Sequence, residues 1–194
     1  MKSVLLLGSV LLLSACGSMQ SQVVKKNVSF DPGIQAQIRS YGSYGSDLIR
    51  IYPETDCAKW EGTKRNTVNR RFVNGLPRKV RNISIGIPPT ELSRKTEKDT
   101  GFVFRDSYRE MVVSANQPVV LDGAFSSQTR NHHYSCRVAA SFTPKAGEAY
   151  EVRYLSEEEG CDIEVYHIGH EEKDGVRPTK KLTANYCAKP GTSF

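Results

Sequence analysis

Short runs in which apolar residues alternate with polar or small ones are the feature that most restricts how this chain can fold. In the run at 134–142, every second residue belongs to one face: Tyr134, Cys136, Val138, Ala140 and Phe142. Similar runs occur at 34–39, 48–52, 108–114, 118–125, 150–154, 161–167 and 181–187. Such alternation is typical of half-buried β-strands, and many short strands separated by turns are typical of sandwiches and barrels. The sequence therefore predicts an all-β protein built as an antiparallel β-sandwich.

Helical signals are weak by comparison. No long run carries apolar residues at helical spacing between suitable caps. The charged run at 91–100 is expected to be a loop or a short helix. The extended run at 78–87 ends at Pro88 and Pro89, which neither a helix interior nor a central strand tolerates.

The N-terminus has the layout of an export signal. Lys2 is followed by an apolar run at 4–13 and then by Leu13-Ser14-Ala15-Cys16. A basic start, a short apolar centre and small residues before a cleavage site describe a secretory signal peptide, and the apolar run is too short for a permanent membrane span. Cleavage near Ala15 with Cys16 as an ordinary thiol is the simplest alternative.

The tetrapeptide Leu13-Ser14-Ala15-Cys16 resembles the lipobox of bacterial lipoproteins. That resemblance implies cleavage before Cys16 and acylation of that cysteine. Gly17 follows it, whereas an Asp there tends to retain enteric lipoproteins at the inner membrane, so the resemblance implies the outer membrane, facing the periplasm. We expect residues 1–15 to be the signal peptide, 16–30 the lipidated cysteine and its tether, and 31–194 a single sandwich domain.

Several short segments are similar to those of small, mostly uncharacterised Gram-negative lipoproteins with an immunoglobulin-like or transthyretin-like sandwich. They are Ile38-Arg39-Ser40-Tyr41-Gly42, Cys57 after a strand, Phe142-Thr143-Pro144 and Gly147-Glu148-Ala149-Tyr150. The similarity implies a fold and a location and supplies no activity.

The cysteine count agrees with lipidation of one thiol. The chain has five cysteines, and an odd number in an exported protein leaves one to explain. With Cys16 acylated, the other four predict two disulfides, which suit an oxidising compartment: Cys57, Cys136, Cys161 and Cys187. Three connectivities are open. A hairpin turning at Asp174-Gly175 favours Cys161 with Cys187, which leaves Cys57 with Cys136.

Charge is distributed unevenly along the chain. The formal net charge is +6, yet the segment 64–81 holds seven basic residues and no acidic one: Lys64, Arg65, Arg70, Arg71, Arg78, Lys79 and Arg81. The segment 148–174 holds ten acidic residues against two basic ones. Arg suits bidentate contact with phosphate, so the basic segment is the candidate anion-binding site, and an ordinary solvated surface is the alternative. Nucleic acid is not expected, because no nucleic-acid-binding motif is present.

Catalytic patterns are missing from the sequence. There is no Gly-x-Ser-x-Gly, Ser-x-x-Lys, Cys-x-x-Cys or phosphate-binding glycine loop. Two histidine pairs, 132–133 and 167/170, lie near Glu171 and Glu172, but their spacing matches no known metal motif. His167 shares the apolar face of its strand and is interpreted as a packing residue. We therefore expect no catalytic residue, no cofactor and no metal.

Three classes of function remain. The favoured one is a non-catalytic lipoprotein that binds an envelope component or a partner protein at the outer membrane. The alternative is a protein-docking inhibitor or an accessory of secretion or assembly, for which the acidic segment 148–174 would be the docking face. The least favoured is a metal-dependent envelope hydrolase built on the histidines and glutamates.

Overall fold

The computed structural model describes residues 23–42, 48–67, 72–73, 76–77, 81–99, 105–128, 133–157 and 160–188. In these ranges the elements follow one another as β1 (Val23–Lys25), β2 (Gln35–Gly42), β3 (Leu48–Tyr52), β4 (Asn66–Thr67), β5 (Phe72–Val73), β6 (Leu76–Pro77), β7 (Asn82–Ser84), α1 (Glu91–Lys98), β8 (Ser107–Ser114), β9 (Val119–Gln128), β10 (His133–Phe142), β11 (Ala149–Glu157), β12 (Gly160–Ile168), β13 (Thr179–Leu182) and β14 (Asn185–Ala188).

Two sheets packed together make up the fold. One has seven strands in the order β1-β7-β8-β2-β11-β12-β13, and the other has five in the order β14-β10-β9-β3-β4. The strands β5 and β6 form a separate small ribbon. The predicted all-β sandwich is confirmed. Most neighbours are antiparallel as expected, but β1–β7, β7–β8 and β2–β11 run parallel.

The core lies between the sheets. It is formed by the apolar side chains that alternate with polar ones along the strands and point inward. From the seven-stranded sheet, Ile38 and Val152 are buried to 1 % exposure or less, and from the five-stranded sheet Ile51, Leu121 and Val138 are fully buried. Full burial of such a side chain contributes roughly 1.5–3 kcal/mol. In the run at 134–142, Cys136, Val138, Ala140 and Phe142 are buried as predicted, whereas Tyr134 is exposed near the start of β10. Ala139 and Ser141, on the opposite face, are buried as well.

The outer face of the seven-stranded sheet is covered by the segment 85–98, which includes α1. The helix begins with a capping box, in which the Thr90 hydroxyl accepts from the Ser93 amide and the Ser93 hydroxyl accepts from the Thr90 amide. Both residues are buried against the sheet. Among the described residues, no helix combines the length and the apolar content needed to cross a bilayer.

The final predicted strand, 181–187, is two strands in different sheets. The turn at Asp174-Gly175 is confirmed: both residues have positive φ, and the flanking Lys173 and Val176 exchange hydrogen bonds. β12 and β13 form the expected hairpin. After Leu182, however, the chain leaves this sheet, and β14 pairs with β10 of the other sheet.

This crossing makes the favoured disulfide pairing wrong. Cys187 on β14 is bonded to Cys57, with a Cα–Cα distance of 4.8 Å. Cys161 on β12 is bonded to Cys136 on β10, with a Cα–Cα distance of 6.0 Å. The second bond joins the two sheets through the core, where both cysteines are buried. That four cysteines form two disulfides is confirmed.

Candidate functional site

The basic segment 64–81 connects the two sheets. It begins just before β4, at the edge of the five-stranded sheet, and ends just before β7 of the seven-stranded sheet. Lys64, Arg65 and Arg81 are exposed, and among the described residues none of the three has an ion-pair partner. The other predicted members lie outside the described residues: Arg70, Arg71, Arg78 and Lys79.

A row of charges crosses the outer face of the five-stranded sheet beside this segment. Asp122 on β9 is fully buried, and its carboxylate lies 2.8 Å from Arg50 Nη1 on β3 and 2.8 Å from Arg137 Nε on β10. The hydrogen bond to Asp122 is the main cause that raises the pKa of Arg137. Arg137 Nη1 also lies 3.9 Å from Glu61 Oε1, so two guanidinium groups face two carboxylates and the row carries no net formal charge.

An aromatic side chain from the loop after β3 covers part of that face. Trp60 is 4 % exposed and packs with Tyr52, Val120 and Ala139. The guanidinium of Arg137 lies 4.8 Å from the Trp60 ring centroid, in a cation–π arrangement. Trp60 therefore holds the loop that follows β3 on the sheet.

The acidic segment 148–174 does not present its charges as one open face. Glu151 is buried beneath α1, and Glu164 accepts a 2.6 Å hydrogen bond from Lys181. Asp162 accepts from the Tyr186 hydroxyl at 2.5 Å. Burial alone would raise the pKa of Glu164, but hydrogen bonds from Lys181 and Tyr166 hold it below its usual value. Among the described residues of this segment, the exposed carboxylates are Glu171, Glu172 and Asp174.

Among the described residues, His167 and His170 lie in one cluster, and His133 does not belong to it. His132 lies outside the described residues, and His133 is exposed on β10, 3.3 Å from the Ser126 hydroxyl. His167 packs on the Tyr150 ring, as a packing residue should, with ring centroids 5.6 Å apart. The Nε2 atoms of both His167 and His170 lie close to the Glu148 carboxylate, at 2.5 and 3.1 Å.

The sequence analysis noted Glu171 and Glu172, which directly follow His170, and missed Glu148. Those two are exposed and do not belong to the cluster of Glu148, His167 and His170, whose ligand atoms lie within 4.8 Å of one another. The sequence feature that could have located Glu148 is the hairpin of β11 and β12. Its register places Tyr150 opposite His167, so the residue two before Tyr150 lies on the same face at the same end. Hydrogen bonds from His167 and His170 lower the pKa of Glu148.

A second group missed from the sequence is a buried ionic cluster on the outer face of the seven-stranded sheet. Arg39 is 1 % exposed, and its guanidinium lies 2.7 Å from Glu110 and 3.0 Å from Glu151. Arg39 also donates to the carbonyl oxygens of Ile87 and Pro88. These bonds attach the covering segment 85–98 to the sheet, so the cluster is interpreted as structural: it holds this segment on the sheet.

Each carboxylate of this cluster has several further donors. One oxygen of Glu110 accepts hydrogen bonds from the Ser84 hydroxyl and from three successive backbone amides at 85–87. Glu151 accepts from the Tyr41 hydroxyl at 2.6 Å and from the Thr90 hydroxyl at 2.5 Å. Such donors compensate the desolvation that buried charges suffer.

Comparison with known proteins assigns no family. No family model, no curated protein and no solved structure matches the chain. The site must therefore be read from its own residues. Cys16, the predicted site of lipidation, lies outside the described residues.

Proposed function

We propose that the protein is a non-catalytic lipoprotein, anchored in the outer membrane through a lipid on Cys16 and facing the periplasm, that binds an anionic envelope component through the segment 64–81. The binding role rests on the exposure and the ion pairing of the basic side chains in this segment. Lys64, Arg65 and Arg81 are exposed and have no ion pair with any described carboxylate, whereas Arg50 is neutralised by Asp122.

The arrangement of cysteines supports the proposed export and anchoring. Four of the five cysteines form disulfides, and disulfides persist in oxidising compartments. Cys16 is then left without a partner inside the chain, in the sequence context of a lipobox. Each acyl CH₂ placed in a bilayer contributes about 0.8 kcal/mol, so two or more chains hold a protein on a membrane without a spanning helix.

Phosphate-bearing lipids fit the basic segment best. Lipid headgroups and lipid A phosphates are both anionic, and a lipid-anchored domain meets them at high local concentration. The acidic segment is less suited to docking on a basic protein, because Glu151 and Glu164 are already engaged within the fold. An inhibitor that docks through this segment is therefore the weaker alternative.

The anchor is tested by Cys16→Ala in the full chain, with Ser18→Ala as the control that keeps the lipobox. We expect Cys16→Ala to lose incorporation of labelled fatty acid and to move from the membrane to the soluble fraction. Unchanged labelling and membrane attachment in Cys16→Ala would refute the anchor.

The binding role is tested with the full chain purified in a nonionic detergent. Binding to lipopolysaccharide and to phosphatidylglycerol micelles is measured at low and high salt for the native chain and for Lys64→Gln/Arg65→Gln/Arg81→Gln. At about 1 kcal/mol for each basic residue near an anionic surface, each lost charge should weaken binding roughly five-fold. High salt should remove most of the difference, because exposed charges are screened.

A matched control removes three exposed lysines elsewhere, Lys95→Gln/Lys98→Gln/Lys145→Gln, which changes the net charge equally. We expect this variant to keep most of the binding. Equal losses in both triple variants would mean that net charge alone is responsible. If the native chain has no salt-sensitive binding to either lipid, the anion-binding role is wrong.

A further inference from the structure

Three metal-ligating side chains meet at one end of the sandwich, at a distance in sequence from the basic segment. Glu148 directly precedes β11, His167 is near the end of β12, and His170 follows that strand. His167 Nε2 lies 2.5 Å from Glu148 Oε2, and His170 Nε2 lies 3.1 Å from the same oxygen. Two imidazoles therefore converge on one carboxylate.

The backbone holds these groups in place. β11 and β12 are joined by a continuous ladder that pairs Tyr150 with His167 and Ala149 with Ile168. The amide of Gly169 donates to the carbonyl oxygen of Pro178 at 2.8 Å. A Cβ on Gly169 would lie 3.1 Å from Pro178 Cγ, so a side chain at this position would fit only if the proline ring moved by a few tenths of an ångström. The histidine that follows Gly169 is thereby directed toward Glu148.

The donor set has a chemical preference. Imidazole nitrogen and carboxylate oxygen are ligands of Zn²⁺, at roughly 2.0–2.2 Å, and imidazole favours Zn²⁺ and related transition metals over Mg²⁺ or Ca²⁺, which prefer oxygen ligands. The candidate ligand atoms already lie within 4.8 Å of one another. His170 is the most exposed of the three, with 68 % of its side chain accessible, so its ring has the freedom to close the remaining distance.

We propose that Glu148, His167 and His170 form a binding site for a divalent transition-metal ion of the Zn²⁺ type, with a fourth position open to solvent. The geometry favours it because both Nε2 atoms face a single carboxylate that is itself about three-quarters buried. The proposal concerns binding and involves no reaction. It is independent of the anion-binding role, since it uses none of the residues of the segment 64–81.

The competing explanation is that the three side chains are only a hydrogen-bonded ion pair that closes the end of the sandwich. The experiment separates the two by measuring metal directly. The untagged full chain is equilibrated with Zn²⁺ by dialysis, and bound metal is counted by mass spectrometry, with Mg²⁺ and Ca²⁺ as comparison ions. We expect one Zn²⁺ per chain and no retention of Mg²⁺ or Ca²⁺ at the same concentration.

Variants assign the bound ion to these residues. We expect His170→Ala and Glu148→Gln to weaken Zn²⁺ binding at least ten-fold, while His133→Ala and Glu171→Gln leave it unchanged. His170 is exposed, so its replacement should leave the fold intact, which circular dichroism checks. In nitrogen NMR spectra, Zn²⁺ should shift the Nε2 signals of His167 and His170 and leave that of His133 in place.

Three outcomes would overturn the site. They are no stoichiometric Zn²⁺ at micromolar concentration, binding that His170→Ala leaves intact, and binding that His133→Ala removes instead. The first would leave the ion-pair explanation, and the other two would move the metal to different ligands.

Discussion

The ring of Tyr154 on β11 lies directly against Gly123 of β9, across the interface between the two sheets. A Cβ on Gly123 would lie 2.2 Å from Tyr154 Cδ2, far inside van der Waals contact. The tyrosine hydroxyl continues past this point and donates to the carbonyl oxygen of Cys136 at 3.2 Å. The absence of a side chain at position 123 therefore lets a large aromatic ring cross the core.

Gly123→Ala tests this contact. We expect the free energy of unfolding to fall by about 1–3 kcal/mol or more, because overpacking forces side chains and backbone apart. In a Tyr154→Ala background the same change should cost less, since the space is then empty. Urea unfolding of the four chains of this double-mutant cycle gives the coupling. An equal cost in both backgrounds would mean that the tyrosine ring is not the obstacle.

The two disulfides should differ in how readily they are reduced. Cys57 is exposed and Cys187 is half-buried, whereas Cys136 and Cys161 are buried in the core. Limited reductant under native conditions should therefore cleave Cys57–Cys187 first, as followed by thiol alkylation and peptide mapping. Reduction of Cys136–Cys161 first would contradict the burial of these two cysteines in the core.

The disulfides should also differ in their contributions to stability. They span sequence separations of 130 and 25 residues, for which the chain-entropy model gives about 5 and about 3.5 kcal/mol. Cys136→Ala/Cys161→Ala also removes buried side chains from the core, which adds a packing loss. We therefore expect both double variants to be strongly destabilised, by similar amounts, in urea unfolding. A loss below about 1 kcal/mol for either would contradict the prediction.

Arg39→Met should be among the most damaging single changes in the protein. It would leave Glu110 and Glu151 buried without their cation, and breaking a buried pair in this way costs about 3–5 kcal/mol. The covering segment 85–98 would lose the two hydrogen bonds that Arg39 donates to the carbonyl oxygens of Ile87 and Pro88, so protease cleavage there should increase. Arg94→Met, an exposed position on α1, should change stability by roughly 0.5 kcal/mol or less. Equal stability of the two variants would rule out that Arg39 holds the segment 85–98 on the sheet.

Alkaline pH should destabilise the fold through Tyr41. Burial raises the pKa of its hydroxyl, and the nearby Glu151 raises it further. A raised folded-state pKa means that the stabilisation is fully present below the unfolded pKa of about 10 and is lost as the pH rises toward the folded value. Tyr41→Phe should therefore flatten the fall in unfolding free energy above pH 10. At neutral pH it should cost about 1.5–3 kcal/mol, the range for a hydrogen bond to a charged group.

Unfolding curves measured from pH 8 to 11 check this prediction. Tyr108, whose pKa is also raised by burial, should keep part of the pH dependence in the variant. Identical slopes for the native chain and Tyr41→Phe would exclude Tyr41 as a source of the effect.

Local apolar–polar patterns predicted the strands. The sheet to which the last strand belongs and the disulfide pairing depend on long-range contacts, which such patterns do not predict. The strand at 48–52 has the bounds that alternation indicates, and the turn at Asp174-Gly175 forms where its dipeptide requires. The crossing after Leu182 could not be predicted, because a single apolar–polar pattern continues through both β13 and β14. The disulfide pairing failed for this reason alone.

The same limit applies to the sites. Alternation placed Arg39 on the polar face of its strand, which is correct, but it cannot say that another segment covers that face. Glu148 was missed because its proximity to His167 depends on the register of a hairpin rather than on sequence spacing. The exposure of Lys64, Arg65 and Arg81 could be predicted from their charge alone, and the structure has all three at the surface.

The pairing of the cysteines has a consequence for how the chain acquires its cross-links. The bonds are nested, first cysteine to last and second to third within the 57–187 region. If the chain is exported across a membrane from its N-terminus onward, Cys57 and Cys136 reach the oxidising side well before Cys187. Oxidation in order of arrival would join those two and trap a non-native loop. Maturation should then require either delayed oxidation or a thiol–disulfide isomerase that exchanges the early bond.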